Sequence, residues 1–208
     1  MDRIPKIFVI NLPHRVDRLN SIKKELERMG LLHKMEIVEG VVIDVGAHGV
    51  AGIAEAQARC IEIARDRGYE MIMIMQDDCK FLVDKDSFNN QIEMFLNTAP
   101  ADWNGLWFGS FWNNGSGGSP DTNWIIPGDF VQDTGILIHS RYYSELMNIY
   151  RFCRDKYIET QEDCYNIDAW MSINKAPIYT LKTKLCGQAD CFSDRVFLQM
   201  CGGASIPL

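Results

Sequence analysis

The sequence predicts a single α/β domain, built on a mixed central β-sheet with helices packed on both faces. In the first half of the chain, short apolar runs alternate with amphipathic segments, a pattern typical of parallel strands joined by helices. The second half is less regular and contains a segment rich in Gly, Ser and Asn at residues 113–123. We therefore expect a sheet that is parallel at first and partly antiparallel later.

The first half contains two wholly apolar runs, residues 7–10 and 71–75. Such runs are typical of strands buried on both faces. The predicted order is strand, helix, strand, helix, strand, over residues 7–10, 14–29, 35–38, 53–67 and 71–75. Apolar residues recur every three or four positions in the first helix, from Val16 to Met29, and form one stripe for burial. Gly30 and Gly68 follow the two helices and favour their termination.

The elements of the second half are predicted from shorter patterns. Helices are expected near residues 88–96, 140–150 and 167–173, and strands at 106–108 and 178–181. A hairpin is predicted to join residues 130–131 to 136–138. Residues 113–123 are predicted to form a flexible loop, because their composition offers few apolar anchors.

Composition excludes some classes of function. The 208 residues carry a formal net charge of −7, which argues against nucleic acid as the main partner. No segment is apolar enough to span a membrane and no secretory leader pattern is present, so we expect a soluble, cytoplasmic protein. The seven cysteines match no zinc-binding spacing and favour buried thiols in a reducing compartment, with a local bridge between Cys186 and Cys191 as the alternative.

The most informative polar residues follow the apolar run at 71–75. Gln76, Asp77 and Asp78 come directly after it, and ligands of open α/β sheets bind at the carboxyl ends of strands. Carboxylate oxygens suit Mg²⁺ or Mn²⁺, which often bridge one or two carboxylates to the phosphates of a substrate. The alternative is a solvated turn or a pair of helix caps.

A second polar group follows the first predicted strand. Arg15 and Arg18 lie in the first turn of the following helix, where the guanidinium fork and the helix dipole both favour phosphate. The alternative is that both arginines are surface residues paired with Asp17 or Glu25.

Taken in order, these motifs resemble glycosyltransferase family 25, whose bacterial members are lipooligosaccharide sugar transferases and which includes collagen galactosyltransferases. The family opens with "INL.R..DR", which Ile10-Asn11-Leu12 and Asp17-Arg18 match, while Arg15 stands one position later than the first arginine of the family. Later matches, in the same order, are a glycine-started helix and an acidic strand end at 49–78, the segment 135–141, Asp168 before Trp170, Gln188, and Ser193-Asp194. The resemblance covers nearly the whole chain, although Gln76 replaces a family glutamate and residues 52–56 lack a family Ser-His pair.

The resemblance implies a single Rossmann-type catalytic domain of the GT-A class over residues 1–208, whether whole or part of a longer protein. Residues 1–100 would bind the nucleotide-sugar and 101–208 would face the acceptor. The donor would be a UDP-sugar, UDP-glucose or UDP-galactose first, whose hexose passes to a glycan or glycoprotein acceptor with inversion. Mn²⁺ or Mg²⁺ would be held by Asp78 and Asp77. The donor-binding residues would be Asn11, Leu12, Arg15, Arg18, Gln76, Asp77, Gln188 and Ser193.

The acceptor side needs a general base and a sugar platform. Asp168 is the first candidate for the base and Asp133 the second, while a helix N-cap is an equal alternative for Asp168. Trp112 and Trp124 border the glycine-rich segment and are candidates for stacking on the acceptor, whereas Trp103 and Trp107 are expected in the core.

Two other functions remain open. Gln76 and the missing Ser-His pair are compatible with a sugar-nucleotide-binding module that has lost turnover. A metal-dependent phosphohydrolase could also use Asp77 and Asp78, with an activated water as its nucleophile.

Overall fold

The computed structural model describes residues 1–43, 45, 49–109, 121–126, 134–174, 177–189, 191–193 and 198–200. The strands are β1 (Ile7–Asn11), β2 (Met35–Glu39), β3 (Met71–Gln76), β4 (Cys79–Phe81), β5 (Gly105–Trp107), β6 (Trp124–Ile125), β7 (Gly135–His139), β8 (Tyr179–Leu181), β9 (Cys186–Gln188), β10 (Cys191–Ser193) and β11 (Leu198–Met200). The α-helices are α1 (Val16–Arg28), α2 (Val50–Asp66), α3 (Lys85–Thr98), α4 (Tyr143–Thr160) and α5 (Ile167–Ile173). Short 3₁₀ helices cover Leu32–Lys34, Ser140–Tyr142 and Asp163–Tyr165.

The described strands form a mixed central sheet in the order β2-β1-β3-β7-β5-β8-β6. β1 runs parallel to both β2 and β3, which is the expected arrangement for strands joined by helices. β7 is antiparallel to β3 and β5, β8 is parallel to β5, and β6 is antiparallel to β8. The expectation of a sheet that is parallel first and partly antiparallel later is confirmed.

Helices cover both faces of this sheet, as predicted. Alternate residues of β1 and β3 enter different cores: Val9 and Met73 pack with α1 and α3, whereas Phe8 and Ile72 pack with α2 and α4. Period-two alternation explains why both strands are apolar up to their last residues, Asn11 and Gln76, because each has two faces to bury. One detail of the predicted stripe on α1 is wrong. Val16 is the first residue of the helix and is exposed, so that the packed stripe begins one turn later.

The second half departs most from expectation. Residues 140–142 form a 3₁₀ turn, and α4 then continues to Thr160, well beyond the predicted end. β7 lies between β3 and β5 in the sheet, whereas the other arm of the predicted hairpin, at 130–131, lies outside the described residues. Residues 113–120 of the predicted loop also lie outside them. The two-stranded ribbons β4–β9 and β10–β11 were not predicted.

The described cysteines and helices bear on two further expectations. Cys60, Cys79, Cys153, Cys164 and Cys186 are free thiols, so the alternative of a bridge from Cys186 to Cys191 is wrong. Burial raises the pKa of the Cys153 thiol to about 12, which makes this thiol unreactive at neutral pH. Among the helices that the structure describes, none has the length and apolar character to cross a membrane.

Gly52 is essential to the packing of α2 because its helix turn lies directly against the chain that leaves β2. A Cβ at position 52 would be 2.0 Å from the carbonyl oxygen of Val41. We expect Gly52→Ala to lower the free energy of unfolding by about 1–3 kcal/mol through overpacking, although alanine is otherwise the better helix former. Urea unfolding measures the effect. Gly187→Ala is the matched control, since the nearest atom there would be at 3.6 Å. A Gly52→Ala variant as stable as the original protein would contradict this prediction.

Candidate functional site

The two adjacent aspartates lie in the tight turn between β3 and β4. β3 ends at Gln76 and β4 begins at Cys79, so Asp77 and Asp78 stand at the carboxyl end of a central strand. Both residues are buried, with relative exposures of 7% and 8%. The turn is also held from the C-terminal part of the chain, because the backbone amide of Ala189 donates to the carbonyl oxygen of Asp78 at 2.7 Å.

Asn11 connects this turn to the start of α1. It is the last residue of β1, the strand that runs parallel to β3. Its Nδ2 donates to Oδ2 of Asp77 at 2.7 Å and to the carbonyl oxygen of Arg15 at 3.1 Å. The ends of two neighbouring parallel strands are therefore joined by side-chain hydrogen bonds, and the helix that follows β1 is fixed to the same point.

Arg18 forms the electrostatic centre of the cluster. Its Nη1 lies 3.1 Å from Oδ1 of Asp77 and 3.4 Å from Oδ2 of Asp78. The three side chains are largely buried, with relative exposures of 13%, 9% and 9%. Partners are needed at such depth, because buried carboxylates are costly unless they are paired with cations. Glu25, predicted as an alternative partner of an arginine here, pairs instead with Arg28.

Arg15 behaves differently from Arg18 although both belong to one motif. Its Nε and Nη2 donate to the two carboxylate oxygens of Asp17 at 2.9 and 2.8 Å, so the pairing predicted as an alternative does occur here. The Arg15 side chain is nonetheless buried, while that of Asp17 is exposed. The Arg15 hydrogen bonds lower the pKa of Asp17 to about 2. Asp17 thus keeps its negative charge at any physiological pH and holds the Arg15 fork in place.

Two opposing effects act on the pKa of Asp77. Burial raises its pKa above the usual range, while the hydrogen bond from Asn11 and the positive charges of Arg18 and Arg15 act in the opposite direction. Desolvation disfavours the ionised carboxylate, and cations nearby favour it. The carboxyl end of β3 is therefore a place where added positive charge stabilises the ionised state.

The donor chemistry of the acidic pair fits a hard divalent cation. Two carboxylates are within the range of protein ligands that Mg²⁺ and Mn²⁺ accept when substrate phosphates and waters complete their coordination. In the part of the chain that the structure describes, no group of three or more His, Cys, Asp or Glu side chains comes together in the manner of an all-protein metal site. A cation here would need ligands from its substrate.

Three of the four remaining predicted donor residues lie beside the acidic turn or at the start of α1. Gln188 ends β9 directly opposite Cys79, the residue that follows Asp78. Gln76 ends β3, and its backbone amide donates to the carbonyl oxygen of Thr134. The carbonyl of Leu12 accepts from the amide of Arg15 in the turn that starts α1. Ser193 pairs with Leu198 through its backbone, at the end of β10.

The structure describes two of the four predicted acceptor-side residues, Asp168 and Trp124. Asp168 is half-buried in the first turn of α5, whose N-cap position is Asn166, so Asp168 is not the cap. Asp133 and Trp112 lie outside the described residues.

Trp124 does not fit the role of an acceptor platform. It is buried in β6, its ring meets Tyr179 edge-on at 4.9 Å between centroids, and its Nε1 donates to Oγ1 of Thr98 at 3.1 Å. Both the ring and its polar atom are used in packing. Trp103 and Trp107 are in the core, as expected.

Comparison with known proteins gives matches to solved structures alone. No protein-family model matches the chain, and no curated protein matches it. It is similar to a glycosyltransferase involved in the glycosylation of the major capsid of PBCV-1, with 12% identity, a TM-score of 0.46, and coverage of 85% of this chain and 93% of that chain.

Two further solved structures are similar to this chain to about the same extent. The chain is similar to mannose-1-phosphate geranyltransferase from Thermus thermophilus, with 8% identity, a TM-score of 0.48, and coverage of 86% and 73% of the two chains. It is also similar to the glycosyltransferase GlyE of Streptococcus pneumoniae, with 9% identity and a TM-score of 0.46, over 86% of this chain and 45% of that chain.

Proposed function

We propose that this protein is a metal-dependent glycosyltransferase. It transfers a hexose, from UDP-glucose or UDP-galactose, to a glycan or glycoprotein acceptor with inversion. The observation that carries the proposal is the joined cluster of Asn11, Arg18, Asp77 and Asp78. Two motifs that are far apart in the sequence meet at the carboxyl ends of adjacent parallel strands, where α/β sheets bind nucleotides.

The donor would bind with its diphosphate at this cluster. Asp78 and Asp77 would hold Mn²⁺ or Mg²⁺, which when bound acts as a Lewis acid towards the diphosphate leaving group. Asn11 fixes the Asp77 carboxylate, and Arg15 and Arg18 place guanidinium groups at the start of α1, where the helix dipole also favours an anion. Leu12, Gln76, Gln188 and Ser193 complete the proposed donor-binding set.

The acceptor hydroxyl needs a group that takes its proton as the new glycosidic bond forms. Asp168 is our first candidate and Asp133 the second. Inversion would need one such base and an attack in line with the leaving diphosphate, with no covalent intermediate on the protein.

A second candidate function is a sugar-nucleotide-binding module without turnover. Gln76 favours it, because the family that the sequence resembles has a carboxylate there, and the half-buried amide cannot replace its charge. Incubation with UDP-glucose or UDP-galactose and Mn²⁺, with release of UDP as the readout, separates the two functions. An active transferase releases UDP by transfer or slow hydrolysis, whereas the module binds the donor and releases none.

We expect UDP to bind more tightly than GDP or CMP in the presence of Mn²⁺. Calorimetry with the three nucleotides tests this preference, and the same titrations with a chelator in place of Mn²⁺ are the control. UDP binding that is equal with and without the metal would contradict metal dependence. GDP binding as strong as UDP binding would remove the assignment of the donor.

A further inference from the structure

We infer that Arg18 is a built-in counter-cation of the acidic pair, which a divalent metal would displace from Asp78 but not from Asp77, so that the other N–H groups of the guanidinium can turn to the diphosphate of the donor. The inference rests on the proposed function. It assigns Arg18 a positioning role, coupling the binding of the metal to the binding of the nucleotide.

The contacts of Arg18 with its two carboxylates are unequal. One nitrogen, Nη1, reaches both aspartates, at 3.1 Å from Asp77 and 3.4 Å from Asp78. Asp77 is the fixed member of the pair, because its other oxygen is held by Asn11 at 2.7 Å. The longer contact is therefore the one that can open while Arg18 stays anchored at Asp77.

A metal at Asp78 would compete with Arg18 for the same carboxylate. A guanidinium 3.4 Å from Oδ2 of Asp78 lies where a divalent ion bound to that oxygen would strongly repel it, since the surroundings are largely buried and weakly screened. Binding of the metal alone therefore carries the cost of moving Arg18.

The diphosphate changes this balance because it offers Arg18 a new partner. Guanidinium groups bind phosphate through paired hydrogen bonds, and Arg18 lies in the first turn of α1, where anions are favoured. Metal alone would consequently bind weakly, and metal with nucleotide would bind tightly. By linkage, each ligand strengthens the other to the same extent.

The test compares Mn²⁺ binding by the intact protein and by Arg18→Met, with free Mn²⁺ measured by electron paramagnetic resonance, first alone and then with saturating UDP. Arg18→Met is expected to bind Mn²⁺ alone ~10-fold more tightly than the original protein. The increase in Mn²⁺ affinity that UDP causes is expected to fall by a similar factor, which lies within the usual range of coupling between two ligands. Arg59→Met is the control. Arg59 is an exposed arginine of α2 that pairs with Glu55, so both quantities should stay unchanged.

If Arg18→Met does not fold, Arg18→Lys provides the test, because lysine retains the positive charge but lacks the forked geometry of the guanidinium group. It is expected to bind Mn²⁺ alone as weakly as the original protein, with a smaller gain from UDP. The inference is overturned if Arg18→Met binds Mn²⁺ no more tightly than the original protein, or if Arg18→Lys retains the full gain from UDP. Failure of the original protein to bind Mn²⁺ even with UDP would instead refute the proposed function.

Discussion

An Asp78→Asn variant is expected to lose Mn²⁺-dependent UDP binding while keeping its fold. The change removes a negative charge and leaves a side chain of the same shape. Arg18 retains its shorter contact, with Asp77 at 3.1 Å, and the backbone carbonyl at position 78 still accepts from Ala189. Losing a direct ligand should cost more than the roughly 10- to 100-fold in metal affinity typical of an outer-shell partner.

Calorimetry with UDP and Mn²⁺ measures the loss, and thermal unfolding verifies the fold. Asp66→Asn is a suitable control, because Asp66 is an exposed aspartate that ends α2 and pairs with Arg65. It should leave both measurements unchanged. Asp78 is not a metal ligand if Asp78→Asn binds UDP with undiminished affinity in the presence of Mn²⁺.

Replacing Asp168 with asparagine is expected to lower the rate of sugar transfer by about 10²- to 10⁴-fold, the usual contribution of a general base. The fold should be maintained, because the N-cap position of α5 belongs to Asn166. Through the dipole of its helix, the lost carboxylate should cost roughly 0.3–1 kcal/mol of stability. A role as general base thus predicts a lower transfer rate, whereas a purely structural role predicts a change in stability alone.

Transfer is followed in single turnovers with the donor saturating, and stability by urea unfolding. Asp163→Asn is the matched control, since Asp163 is an exposed aspartate in the 3₁₀ helix just before α5. A near-normal rate in Asp168→Asn would exclude Asp168 as the general base. Asp133→Asn would then be the next variant to test.

The parallel half of the sheet could be predicted because its signals are local. β1 and β3 are apolar along nearly their whole length since each buries two faces, and Gly30 and Gly68 adopt positive φ where their helices end. The β4–β9 ribbon could not be predicted in this way. Each of its strands has three residues, and its pairing depends on a partner remote in the chain. Trp124 was misassigned because proximity to a polar loop does not indicate whether a side chain is buried.

The positions of the candidate site residues in the fold could be predicted better than their contacts. The position of Asp77 and Asp78 after an apolar strand indicated the edge of the sheet, and the motif around Arg18 indicated the neighbouring strand end. The pairing of each arginine could not be derived from spacing. Arg15 bonds to the nearby Asp17, whereas Arg18 crosses to Asp77, and this choice depends on the register between β1 and β3.

The β4–β9 ribbon has a consequence for the order of folding. β1, α1, β2, α2 and β3 are contiguous and can assemble while the rest of the chain is still being synthesised. The turn that carries Asp77 and Asp78 gains its last backbone support from residues 186–189, through the ribbon and the bond from Ala189 to Asp78. Contacts between remote segments close slowly, because loop entropy must be lost before they form. The acidic turn is therefore completed after the parallel strands β1, β2 and β3, and under the proposed function the ability to bind a cation should appear later in refolding than the native helix signal.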